Sequence, residues 1–112
     1  PFPCNGGTTS CDALWMGTPL VTLAGQTFVS RMGVSLLSNV GLTELIAQTP
    51  EEYVAIAKRL AGDREYLRKT RHGLRERVAQ SPLLDMPGFT RQMEAAYREM
   101  WRRWCENSPP AP

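Results

Sequence analysis

Apolar positions recur along this chain in two registers. Pro19, Leu20, Val21 and Leu23 make a run of strand length that is apolar on both faces, the pattern of a buried parallel strand, over 19–23. Elsewhere the spacing is helical. A short helix is predicted from about Thr9 to Met16, bounded by Gly7 before it and by Gly17 and Pro19 after it. Met32, Val34, Leu36 and Leu37 fit a second short helix that Ser30 is placed to cap and Asn39 and Gly41 to end. Residues 42–48 mix helix and strand signals and read as a turn or short helix leading into an extended segment.

The C-terminal half is helical throughout. Thr49-Pro50-Glu51-Glu52 combines an N-cap threonine, a proline at the first helical position and a glutamate three residues after the cap. Tyr53, Ile56, Ala57 and Leu60 then share a face, and Gly62 ends the helix. Asp63 is the predicted cap of a further helix over about 64–80, apolar along Leu67, Thr70, Leu74 and Val78. Ser81-Pro82 breaks it. A last helix, from Pro87 or Phe89 to Cys105, carries Phe89, Met93, Ala96, Tyr97, Met100, Trp101 and Trp104, a stripe of the kind that is usually core. The proline-rich tail 107–112 is expected to be disordered.

With a single strong strand among these helices, the chain is an α/β piece that is mostly helical. One strand cannot make a sheet. The chain also starts at Pro1, without an initiator Met and directly before a glycine loop, so it reads as a fragment of a longer enzyme whose other strands come from elsewhere.

Composition narrows the function classes. The chain has 112 residues and a formal net charge of only +2, so it is not a basic nucleic-acid protein by balance. Arg64, Arg68, Arg71 and Arg75 do recur at helical spacing and invite a phosphate-backbone reading. Glu65 and Glu76 interrupt them, and a charged outer face is ordinary for an amphipathic helix, so no nucleic-acid partner is expected. No run approaches the roughly 18 apolar residues that span a bilayer, and no membrane partner is expected. Cys4, Cys11 and Cys105 lack any CxxC or His-Cys cluster, which favours reduced thiols in a cytoplasm over a zinc site. His72 has no ligand-type neighbour and reads as a surface residue.

The candidate chemistry lies in Asn5-Gly6-Gly7-Thr8-Thr9-Ser10-Cys11-Asp12. Two glycines permit a tight turn, two threonines offer caps or ligands, and the helix that starts there presents unpaired N–H groups and the positive end of its dipole. An anion such as phosphate suits that mouth. Asp12 falls on the first turn, and its carboxylate points back toward the loop, where a sugar diol is a natural donor to it. On local chemistry alone an ordinary capped helix is an equal reading. Gln26 and Thr27, at the C-terminal edge of the strand, either touch a ligand or only shape their loop. Arg31 stands open between a ligand role and a structural one.

Resemblance decides between these. The run NGGTTSCDALWMGTP, followed by Gly25-Gln26-Thr27-Phe28-Val29-Ser30-Arg31, resembles the C-terminal end of protein O-GlcNAc transferases, enzymes that use a UDP-sugar on a GT-B catalytic region. The likeness continues through Glu51-Glu52-Tyr53, residues 63–69, Ser81-Pro82-Leu83 and residues 97–101, so it spans nearly the whole chain.

The resemblance implies the C-terminal part of a Rossmann-like nucleotide-binding domain. Residues 1–48 would form its loop, helix and strand portion, and residues 49–106 the C-terminal helices of the same domain. It implies that Gly7, Thr8 and Thr9 hold the UDP diphosphate and that Asp12 contacts the ribose. No catalytic residue falls within this stretch and no metal or other cofactor is implied, since amides and hydroxyls would neutralise the leaving diphosphate. The implied reaction is transfer of N-acetylglucosamine from UDP-GlcNAc to Ser or Thr hydroxyls of an acceptor protein, with inversion. The remainder of the catalytic region is a required partner, against which the resemblance implies that part of the last helix's apolar face buries, and upstream tetratricopeptide repeats are usual. Gly7 departs from the histidine of the animal enzymes and resembles a bacterial-type variant, which leaves UDP-glucose open as the donor. A non-catalytic helical interaction module is the rival reading from another class.

Overall fold

The computed structural model describes residues 4–107. Helix α1 (Thr8–Trp15) leads to strand β1 (Thr22–Leu23), helix α2 (Met32–Val40), strand β2 (Ile46–Ala47) and three further helices, α3 (Pro50–Gly62), α4 (Arg64–Ala79) and α5 (Met86–Asn107). Single 3-10 turns lie at Phe28–Ser30, Thr43–Leu45 and Pro82–Leu84.

The expected strand over 19–23 contributes only its last two residues to a ladder. Thr22 pairs with Ile46 and Leu23 with Ala47 in parallel, and the Ala24 N–H extends the ladder by donating to the Ala47 carbonyl at 2.8 Å. The extended segment expected after residue 42 is thus the second strand. Two residue pairs are too few to make a free-standing sheet, and helices hold this one in place.

Caps written locally in the sequence form as read. The Thr49 hydroxyl accepts from the Glu52 N–H at 3.2 Å, and the Glu52 carboxylate accepts in return from the Gln48 N–H at 2.7 Å. Asp63 accepts from the Tyr66 N–H at 2.8 Å. Ser30 differs from expectation. Instead of capping α2, its hydroxyl accepts from the Thr27 N–H at 3.0 Å inside the preceding turn, and α2 starts after Arg31 with no local side-chain cap.

The core gathers Leu14 from α1, Leu36, Leu37 and Val40 from α2, Leu42 and Leu45 from the next turn, and Leu74 and Val78 from α4. Ile46, Ile56 and Leu60 pack against it. The α4 face therefore buries as its spacing predicts, through Thr70, Leu74 and Val78. The α5 stripe does not. Beyond Gly88 every residue of α5 is exposed, including Trp101 at 64% and Trp104 at 61%. Those two rings stack on each other, 5.2 Å apart. No other described element covers that stripe, so it is not core within this chain. Among the described residues no helix is long and apolar enough to cross a membrane. The expectation of a disordered tail falls, apart from the helical Asn107, outside the described residues.

Candidate anion site at the start of the first helix

Helix α1 is fixed from behind. Leu14 is fully buried in the core, and its C-terminal turn reverses at Gly17, whose φ of +79° suits a residue without a Cβ. This docking against α4 leaves the N-terminal end of α1 at the surface, with Thr8, Thr9 and Asp12 all exposed.

At that end Gly7 is the N-cap, and the helix has no side-chain cap. The Ser10 and Cys11 N–H groups both donate to the Gly7 carbonyl, at 3.0 and 3.1 Å. Among the described residues the Thr8 and Thr9 N–H groups have no acceptor, as is usual for the first amides of a helix when nothing caps them. Neither threonine hydroxyl is spent on capping, against one of the two roles their position allowed. Because α1 begins at Thr8, Asp12 falls on its second turn and not on the first as expected, four residues after Thr8 and three after Thr9 on the same side of the helix. Its carboxylate has no hydrogen-bond partner among the described residues.

The glycines work differently from a simple turn. Neither Gly6 nor Gly7 adopts a positive φ. Gly6 is confined by close approach, since a Cβ there would meet the Ser10 hydroxyl at 2.7 Å and that of Thr9 at 3.1 Å. At Gly7 a Cβ would meet only the tip of the Met32 side chain, at 3.1 Å, so a larger residue fits once that flexible chain moves.

Beside the loop is a cleft of about 330 Å³ lined by Asn5, Gly6, Ser10, residues 20–23, Gly33 and the start of α3. Its wall is mainly apolar, and Gly7, Thr8, Thr9 and Asp12 do not line it. Such a wall suits apolar side chains from further chain better than a pyrophosphate. The polar, exposed mouth of α1 is the better anion site.

Two of the other candidate residues have partners within the loop after β1. Thr27 is engaged with Ser30 through backbone and hydroxyl, the latter pair 2.9 Å apart. Arg31 donates to the Gly25 carbonyl at 3.1 Å and ties the two ends of that loop. Gln26 and His72 are exposed. Among the described residues no group of three or more His, Cys, Asp or Glu side chains is placed to hold a metal.

Asn5 carries more than its sequence position announced. Its Oδ1 accepts from the Gly33 N–H at 3.0 Å and from the Thr22 hydroxyl at 3.3 Å, and its own N–H donates to the Val29 carbonyl at 2.9 Å. An asparagine directly before Gly-Gly was the one available signal, because such side chains commonly bond to backbone at turns.

Comparison with known proteins places this geometry in a family. The model of glycosyl transferase family 41 matches residues 1–93. The chain belongs to that family.

Among family 41 relatives, a probable UDP-N-acetylglucosamine–peptide N-acetylglucosaminyltransferase SPINDLY of Hordeum vulgare is 48% identical over 110 residues, 98% of this chain and 12% of the relative. The UDP-N-acetylglucosamine–peptide N-acetylglucosaminyltransferase of Caenorhabditis elegans is 39% identical over 106 residues, 95% of this chain and 9% of the relative. The structure of a mutant Thermobaculum terrenum O-GlcNAc transferase superposes with a TM-score of 0.86 and 42% identity, covering 96% of this chain and 21% of that one. The expected likeness to part of the GT-B catalytic region of an O-GlcNAc transferase is therefore present. The chain spans about an eighth of the length of the SPINDLY relatives.

Proposed function

We propose that this chain is the UDP-binding C-terminal part of a glycosyltransferase that moves N-acetylglucosamine from UDP-GlcNAc to Ser or Thr hydroxyls of proteins with inversion. Gly7, Thr8 and Thr9 hold the diphosphate and Asp12 the ribose. Residues 1–48 are the nucleotide-binding portion and residues 49–106 the later helices of one Rossmann-like domain. Acid/base groups, other nucleotide contacts and any tetratricopeptide repeats belong to chain outside this stretch, so the piece alone is inactive. The setting is cytoplasmic.

One observation carries the reading: among the described residues the amides and hydroxyls of Thr8 and Thr9 where α1 begins have no partner, and neither has the Asp12 carboxylate one turn along. Oriented N–H groups at a helix start stabilise the charge that grows on a diphosphate as the glycosidic bond breaks, and they do so without a metal.

The test is calorimetric titration of the full-length protein with UDP. Thr9→Ala and Asp12→Ala should each weaken binding by about 1 to 2 kcal/mol, the scale of a hydrogen bond to a charged or desolvated partner. Unchanged affinity in both variants removes the assignment of this loop. The exposed apolar face of α5 supports the rival reading, a helical interaction module, which predicts no UDP binding at all.

A further inference from the structure

We infer that Asn5 is the positioning residue of the diphosphate loop, acting on the ligand only through the backbone it holds. The inference rests on the reading of Gly7, Thr8 and Thr9 given above.

The geometry is that of a three-way tie. A single oxygen, Asn5 Oδ1, takes two hydrogen bonds from two different elements, the Gly33 N–H on the first turn of α2 at 3.0 Å and the Thr22 hydroxyl on β1 at 3.3 Å. An amide oxygen has two lone pairs, and both are used. The Asn5 N–H then fixes the main chain to Val29 at 2.9 Å. These partners lie 28, 17 and 24 residues away in sequence, so none of the bonds is a local turn contact.

Three neighbouring features show that the arrangement is built around this oxygen. Helix α2 has no side-chain cap of its own, and Asn5 supplies one from a distant segment by taking one of the first unpaired amides. Gly33 leaves the room required, since a Cβ there would lie 2.3 Å from the Thr22 hydroxyl and 3.3 Å from Asn5 Oδ1. Thr22, only 5% exposed, has its hydroxyl satisfied by this bond.

Asn5 lies two residues before Gly7, so the tie, which anchors the chain to β1 and α2, sets how the loop enters α1. Amides bind an anion well when they are already aimed at it, and a loop freed to wander must be ordered at the expense of affinity. The role is therefore expected in binding of the diphosphate and not in binding of the base or ribose.

The experiment compares UDP with uridine on the full-length protein. Asn5→Ala should weaken UDP by roughly fivefold to tenfold, the loss of two hydrogen bonds partly made good by water, and leave uridine affinity unchanged. Thr22→Val, which keeps shape and removes one donor, should weaken UDP by about twofold and serves if Asn5→Ala fails to fold. Because Asn5 acts through the loop, Asn5→Ala with Thr9→Ala should cost less than the two separate effects combined. Equal losses for UDP and uridine, an additive double variant, or unchanged UDP affinity would each overturn the inference. If Thr9→Ala weakens UDP while both tie variants do not, only the role of Asn5 falls. If Thr9→Ala and Asp12→Ala have no effect, the reading of the loop falls first.

Discussion

The guanidinium of Arg75 lies over the indole of Trp15, 4.5 Å from its centre. This contact joins the last turn of α1 to the middle of α4, on the outer side of the seam whose inner side is Leu14 and Leu74. It also takes one arginine out of the basic stripe that hinted at nucleic acid. A cation held over an indole at a partly exposed site contributes about 0.5 to 1 kcal/mol. In the intact protein, Trp15→Ala and Arg75→Ala should each raise hydrogen exchange of α1 and α4 amides. The double variant should add little to either single one, and additive effects would show that the pair is not coupled.

A larger effect is expected at the centre of the same seam. Leu14 is fully buried and is the only residue of α1 whose side chain joins the core cluster. Leu14→Ala leaves a cavity in a packed interior and should cost about 2 to 5 kcal/mol. Since α1 carries the candidate anion site at its other end, UDP affinity should fall along with the local protection of α1. Retained protection in this variant would mean that α1 is held by something other than its packing.

Gly17 tests the backbone in place of the side chains. Its φ is +79°, and a Cβ would come within 2.9 Å of the Arg71 carbonyl oxygen, a backbone atom that cannot move aside. Gly17→Ala combines a left-handed backbone, worth roughly 1 to 2 kcal/mol, with that clash. The intact variant should unfold at lower temperature than wild type. A wild-type unfolding temperature would show that the turn can rebuild with an ordinary φ.

How much of this was legible follows the range of each interaction. Thr49 and Asp63 were readable because each bonds an amide three residues on, so the whole cap lies in one short stretch of sequence. Leu74 and Val78 were readable from helical spacing. Strand β2 was not, because Ile46 and Ala47 are too short a run to show alternation and take their form from pairing with Thr22 and Leu23. The role of Asn5 was hidden for the same reason, its bond to Gly33 spanning 28 residues. The α5 stripe has the spacing of core yet meets no described partner, and pattern alone does not say where a partner lies. The choice of a candidate anion site over an ordinary capped helix came from resemblance, since many glycine-threonine loops only start helices.

Tyr66 gives the pH test. Its hydroxyl donates to the Glu44 carboxylate at 2.6 Å and joins α4 to the turn before β2. Burial, reinforced by that hydrogen bond and the nearby negative charge, raises its pKa above the ordinary 10.0. A raised pKa in the folded state means that the folded chain prefers the neutral phenol. The stabilisation is therefore complete below about pH 10, the value of an unfolded tyrosine, and is lost as the pH climbs through the raised folded value. Above it a phenolate would face a carboxylate with no proton between them. In tyrosine-labelled NMR of the intact protein, the resonance that disappears in Tyr66→Phe should titrate above pH 10. The variant itself should lose about 0.5 to 1 kcal/mol at neutral pH, the low end for a hydrogen bond open to solvent, and that penalty should shrink as the pH is raised past the wild-type titration. A penalty that stays constant through that range would mean that loss of the phenol proton does not weaken the link to Glu44.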